Sequence, residues 1–178
     1  MIPDAYYKNI YEIDYNKLKS KGYKYIFFDV DNTLMPYKEN KVNNKLKSLF
    51  DKLNEDFDLF LFSNGKSDRV LKIQKDLDIG GYYFSMKPLN KNYKKVLDKY
   101  DKDKCIFIGD QFMTDVLGAK RNDLKVILVD IIDLSYEPFT THIWRFFERI
   151  HLKKLKKKGL FTKSNYYDKL WIICYNII

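Results

Sequence analysis

Tyr25-Ile26-Phe27-Phe28-Asp29-Val30-Asp31-Asn32-Thr33 is an apolar run that ends in a carboxylate, repeats the carboxylate two residues on, and adds a hydroxyl two beyond that. Four apolar residues without polar alternation read as a strand covered on both faces, as in a parallel sheet. The pattern recurs along the chain. Leu59 to Phe62 ends at Ser63-Asn64-Gly65, Cys105 to Ile108 ends at Gly109-Asp110, and Val126 to Val129 ends at Asp130. Tyr82-Tyr83-Phe84 reads as a short further strand. Between these runs, apolar residues return at helical spacing: Val42, Leu46, Leu49, Phe50 and Leu53, then Val70, Leu71, Gln74 and Leu77 behind a capping Ser67. Tyr93, Val96, Leu97 and Tyr100 mark another helix, and a short one is expected around Thr114 to Lys120. Strand and helix alternate as in right-handed crossover units, so the fold class is α/β: a three-layer sandwich with a mainly parallel, Rossmann-like sheet.

The 178 residues suit one domain with a substantial core, and 46% hydrophobic with 32% charged residues is the composition of a globular chain. Two cysteines, one of them (Cys105) inside an apolar run, give no disulfide framework and fit a reducing cytoplasm. Met1 to Ile13 has no apolar block of the secretory kind, and no run reaches the roughly 18 apolar residues a membrane span needs. The charge is lopsided. Residues 141–178 hold nine Lys/Arg against Glu148 and Asp168, so +7 of the net +9 lies there. The reading is therefore a core over 1–140 and a basic helical extension over 141–178 within the same domain.

Asp29, Ser63, Lys87 and Asp110 each fall at or just after a strand end, the edge where open α/β sheets bind ligands. Asp29-Val-Asp31-Asn-Thr33, Ser63, Lys87-Pro88 and Gly109-Asp110-Gln-Phe-Met-Thr-Asp115 resemble, in order, the four motifs of the haloacid dehalogenase (HAD) superfamily. The strings FDVDNTLMPY, SNG, MKPLNK and IGDQFMTDVLGAKRND are similar to those of its YqeG family, in subfamily IIIA, related to phosphatidylglycerophosphate phosphatases. The likeness runs from about Lys24 to Lys158, with Gly65 standing where the family often has Asn. It implies a HAD-like phosphatase of phosphate monoesters.

The chemistry of the residues agrees. Phosphate monoesters yield only to an aligned nucleophile, charge neutralisation and a protonated leaving group. Asp29 is the expected nucleophile, through an aspartyl-phosphate, and Asp31 the general acid and base. Thr33 is expected to hold the loop, while Ser63 and Lys87 contact the phosphoryl oxygens. Asp29, Asp31, Asp110 and Asp115 are the expected metal set, with Mg²⁺ as the ion and Asp115 alternatively orienting Lys87. His142 and His151 fit no catalytic spacing.

About 30 residues separate Thr33 from Ser63 and about 23 separate Ser63 from Lys87, too few for a cap domain in either gap. An open site suits a bulky substrate, so a lipid, protein or nucleic-acid phosphate is favoured over a small sugar phosphate. In the extension, Ile143, Phe146, Phe147, Ile150 and Leu155 share a helical face flanked by Arg145, Arg149, Lys153 and Lys156. Such a face either packs on the sheet or docks peripherally on an anionic phospholipid surface, with the apolar tail from Trp171 to Ile178 inserting shallowly. Gripping RNA with this stretch is the weaker reading, so nucleic acid is not the expected partner. Phosphatidylglycerophosphate is the first substrate the resemblance implies. The rivals are a cytoplasmic phosphatase for a nucleotide, nucleic-acid end or phosphoprotein, and a non-catalytic RNA-binding module. Oligomeric state is not legible.

Overall fold

The structure, a computed structural model, describes residues 1–170 apart from 66, 84, 165 and 166, and leaves out the side chains of 90–92, 139 and 140. The expected inserting tail, 171–178, lies outside the described residues.

Seven strands form one sheet: β1 (Ala5–Tyr7), β2 (Tyr25–Phe28), β3 (Asp58–Phe62), β4 (Gly80–Tyr82), β5 (Cys105–Gly109), β6 (Lys125–Val129) and β7 (Tyr167–Asp168). Their order is β4-β3-β2-β5-β6-β1-β7, parallel throughout except that β7 runs antiparallel to β1. The α-helices are α1 (Tyr15–Ser20), α2 (Asn44–Leu53), α3 (Ser67–Leu77), α4 (Asn90–Leu97), α5 (Leu117–Arg121) and α6 (Phe139–Lys157).

Alternate side chains of each strand feed two cores. Ile26, Phe28, Leu59, Leu61, Ile106 and Ile108 pack against α1 to α3. Phe27, Phe62, Phe107, Val126 and Leu128 pack against α4, α5 and Leu155 of α6. This is the α/β three-layer sandwich expected, with both faces of the sheet covered. Ile26, Phe27 and Phe28 are essentially inaccessible, and each such side chain contributes about 1.5–3 kcal/mol of transfer free energy. Among the described residues no helix is long and apolar enough to cross a membrane.

Three details depart from the sequence reading. The edge strand β4 begins two residues earlier than Tyr82. Gly80 and Gly81 look like a turn in sequence, but their bare Cα atoms let the strand lie close: a Cβ would stand 2.7 Å from Phe60 Cδ1 at Gly80 and 2.6 Å from Gln74 Nε2 at Gly81. In α3, Ile73 is buried and Leu71 faces solvent, and Ser67 is the first helical residue, donating to Asp68 Oδ1 at 3.1 Å. β1, α1 and β7 have too little apolar pattern to be read from sequence. β1 takes shape by pairing with β6, β7 by pairing with β1, and α1 by burying Leu18 in the core.

The clearest outcome is in α6, whose apolar face the sequence leaves free either to pack on the sheet or to look outward. Ile143, Phe146, Phe147 and Ile150 point to solvent, and only Leu155 of the expected apolar face is buried. Arg145, expected to flank that face, is buried together with Glu148. The helix is set by a charge cluster, not by its apolar stripe.

Candidate active site

β2 pairs with β3 on one side and β5 on the other. Connections leave in opposite directions at this point, and a crevice opens beyond the strand ends. Asp29 follows β2, its amide extending the ladder to Ile108 O at 2.9 Å, and Asp110 follows β5. Asp115 arrives from a π-turn, Phe112–Val116, with its amide bonded to Gln111 O and its Oδ2 accepting from Gln111 N at 3.0 Å. Gly109 makes this possible, because a Cβ there would overlap the Asp115 carboxylate.

Asp29, Asp110 and Asp115 each offer an oxygen within 4.8 Å of the others, and all three are buried. Lys87 Nζ lies between two of them, 2.5 Å from Asp29 Oδ1 and 2.7 Å from Asp115 Oδ1. Asn64 fixes Lys87 in place: its Oδ1 accepts from Lys87 N at 2.7 Å and from Ser85 Oγ, and its Nδ2 donates to Lys87 O. Arg145 reaches in from α6 and bonds Asp110 Oδ2, Glu137 Oε1 (2.7 Å) and Glu148 Oε2 (3.3 Å). Lys87 thus engages Asp29 Oδ1 and Arg145 engages Asp110 Oδ2. The remaining oxygens, Asp29 Oδ2 and Asp110 Oδ1, both lie 3.2 Å from the Thr33 hydroxyl. Thr33 therefore bonds the carboxylates themselves and not merely its loop.

Asp31 sits beside this group, not in it. Its carboxylate pairs with Arg69 Nη1 at 2.5 Å, and Arg69 also donates to Glu39 O and Pro36 O. Among the described residues the carboxylate cluster holds Asp29, Asp110 and Asp115 and leaves out the Asp31 carboxylate, which had been expected as a fourth ligand. An arginine on α3 holds it away. Ser63 is fully buried, with its hydroxyl oxygen accepting from Gly65 N at 2.9 Å, while Asn64 and Gly65 line the crevice. Ser63 shapes the loop that presents them. The loop after β2 is tied across to 131–138: Asn32, at φ 65°, donates to Glu137 Oε1 and accepts from the amides of Ile132 and Asp133.

The crevice is a cavity of about 240 Å³, lined by Asp29, Asp31, Lys87, Asp110, Trp144 and Arg145 among others. Its electrostatics are strained towards positive charge. Burial pushes Asp29 well above the carboxylate range, with Lys87 opposing. Burial likewise pushes Asp110 up to about 7 despite Arg145, and raises Asp31 against the pull of Arg69. Burial alone would lower Lys87, but the Asp115 and Asp29 carboxylates outweigh it and raise it, so it stays an ammonium. Five buried carboxylates (Asp29, Asp110, Asp115, Glu137 and Glu148) face two cations, Lys87 and Arg145, an excess of negative charge that a hard divalent cation would reduce, and its ligands would be the oxygens meeting at Thr33. The donor set fits such an ion.

Arg69, Glu137, Glu148 and the inward turn of Arg145 escaped the sequence reading, since none stands in a strand-end motif; Asn64 stands in one, Ser63-Asn64-Gly65, but was given no role there. For Asn64 the neighbouring Ser63 was the available signal. For the others there was none.

A curated relative, Probable phosphatase YqeG of Bacillus subtilis (strain 168), is 35% identical over 161 residues, 89% of this chain and 93% of the relative. The chain belongs to the YqeG family of HAD-type phosphatases. The Hydrolase_like (HAD-hydrolase-like) family profile matches residues 86–131, which carry Lys87, Asp110 and Asp115. Phosphatidylglycerophosphate phosphatase 1, chloroplastic/mitochondrial, of Arabidopsis thaliana is 24% identical over 172 residues. That alignment takes in 90% of this chain but only 49% of the plant protein, so the chain spans about half its length. The magnesium-bound HAD-hydrolase YfnB of Bacillus subtilis superposes with a TM-score of 0.52 at 14% identity, covering 61% of this chain and 87% of that one, a likeness of fold.

Proposed function

We propose that this phosphatase is Mg²⁺-dependent, works through an aspartyl-phosphate on Asp29, and takes phosphatidylglycerophosphate as substrate. The observation that carries the mechanism is the Lys87 ammonium held between Asp29 and Asp115 beside the two carboxylate oxygens at Thr33. Bound Mg²⁺ would be held by Asp29 and Asp110, with Asp115 alongside, and would supply neutralising charge for the phosphoryl oxygens. Asp29 attacks phosphorus with one carboxylate oxygen while the bond to the ester oxygen breaks. Lys87 compensates the charge on the phosphoryl oxygens and keeps Asp29 oriented. Asp31, raised by burial, gives its proton to the departing oxygen. It then takes a proton from water, which attacks phosphorus and frees Asp29 and inorganic phosphate. Lipid specificity is supported by the likeness to the plant phosphatase and by a crevice that, among the described residues, has no cap domain over it.

The test is phosphate release from phosphatidylglycerophosphate vesicles, with Mg²⁺ or with chelator. Turnover that requires Mg²⁺ supports the reading, whereas hydrolysis of soluble esters alone removes the lipid assignment. Asp31→Asn separates the two half-reactions. p-Nitrophenolate leaves unaided, so this variant should release a burst of it and then turn over about 10²–10⁴-fold more slowly. Steady turnover at the wild-type rate would remove Asp31 from the mechanism.

Metal binding should also follow pH. Asp110 lies at about 7 when no cation is bound, above its unfolded value, so the protonated form stabilises the metal-free fold. That contribution is complete at acidic pH and is lost as pH rises through about 7. Mg²⁺ competes with this proton, so the Tm increase on adding Mg²⁺ should be larger near pH 8 than near pH 5.5. Equal increments at both values would place the ion elsewhere.

A further inference from the structure

The outward face of α6 has no covering among the described residues, although it carries four large apolar side chains 38–57% exposed: Ile143, Phe146, Phe147 and Ile150. The patch is continuous, with ring centroids 5.8 Å apart for Phe146–Phe147 and 6.5 Å for Trp144–Phe147. Trp144 belongs both to this patch and to the lining of the catalytic crevice. Two loops that also supply lining residues expose apolar side chains next to them: Met86 and Leu89 on either side of Lys87, and Leu134 and Tyr136 just before Glu137. Exposed apolar groups thus concentrate on the segments that build the mouth of the site. Monomeric proteins seldom leave such a patch without a use.

Following the same face along α6, the i+3, i+4 and i+7 positions after Ile150 are Lys153, Lys154 and Lys157, all exposed. One helical face therefore reads apolar for two turns beside the site and cationic thereafter. A protein partner would need a matching apolar hollow followed by an acidic strip. An anionic bilayer offers acyl chains beneath negative headgroups everywhere along the helix.

We propose that the outward face of α6, with the 86–89 and 134–136 loops, docks on an anionic phospholipid bilayer and brings the crevice to the headgroup layer. This rests on the phosphatase reading and names where its substrate comes from: a phosphate ester presented by a membrane. Trp144 joins the two surfaces, since it is 41% exposed beside Phe147 and also lines the crevice.

The experiment is co-sedimentation of the full chain with phosphatidylcholine vesicles, with and without about one-third phosphatidylglycerol, at low and high salt. Wild type should pellet with the anionic vesicles and release in salt. The triple variant Phe146→Gln, Phe147→Gln, Ile150→Gln, which replaces no lining residue, should bind at least about tenfold more weakly. Lys153→Gln, Lys154→Gln, Lys157→Gln should lose a similar factor and most of the salt dependence. Both should keep the wild-type melting curve and the wild-type rate on p-nitrophenyl phosphate. Binding that ignores phosphatidylglycerol, or an apolar variant that pellets like wild type, overturns the proposal. So does a wild-type dimer that the apolar variant dissolves, which would make a second copy the occupant. Asp29→Asn should bind vesicles normally while losing hydrolysis, so a failed phosphatase assignment and a failed docking assignment give different results.

Discussion

Asp29→Asn should lose at least about 10⁴-fold in kcat on any phosphate ester, without loss of stability. The amide keeps the shape of the carboxylate but cannot attack phosphorus. Lys87 retains Asp115 at 2.7 Å, so no buried ammonium is left without a counter-charge. Burial already penalises the ionised form of Asp29 in the metal-free fold, and neutralising it removes one of three crowded negative charges. The metal-free Tm should therefore hold or rise, while the stabilisation gained from Mg²⁺ shrinks. Acid quenching during turnover of a radiolabelled ester should leave label on wild type and none on the variant. A variant that hydrolyses at the wild-type rate, or that carries label, would remove Asp29 as nucleophile.

Arg145→Met should be the most damaging change on α6, although the sequence places that arginine only on the flank of the apolar stripe. Its guanidinium is 6% exposed and faces Asp110, Glu137 and Glu148. Removing one partner of a buried ion cluster costs about 3–5 kcal/mol. In a chain of this size that is a fall in Tm of roughly 10–15 °C. Arg145→Lys should recover only part of the loss, since a single ammonium cannot reproduce a fork shared by three carboxylates. The deficit should narrow in acid. Burial raises Asp110 and Glu148, so without the arginine they protonate readily as pH falls and the uncompensated charge disappears. Phe146→Gln, one residue away and exposed, should shift stability by less than about 0.5 kcal/mol. If the phenylalanine change destabilises more than the arginine change, the inward orientation of Arg145 is wrong.

Asp29, Lys87 and Asp110 were legible because each follows an apolar run that can only be a covered strand, and strand ends in such a sheet converge. The same logic reached Asp115, but residue spacing cannot reveal that Arg69 approaches from α3 and pairs with the Asp31 carboxylate. β1 and β7 went unread because three and two residues carry no period. Their strand geometry comes from pairing with a sheet already built.

By itself, then, the sequence determined the layered α/β architecture, the four motif positions and the absence of room for a cap, all of which depend on local runs and chain lengths. The tertiary structure alone decided which way α6 turns. Helical periodicity groups Ile143, Phe146, Phe147 and Ile150 on one face and leaves open whether that face packs on the sheet or looks outward. The carboxylates of Asp110, Glu137 and Glu148 meet in one buried place only when the chain is folded, and a guanidinium among three buried acids outweighs an apolar stripe that can remain at the surface.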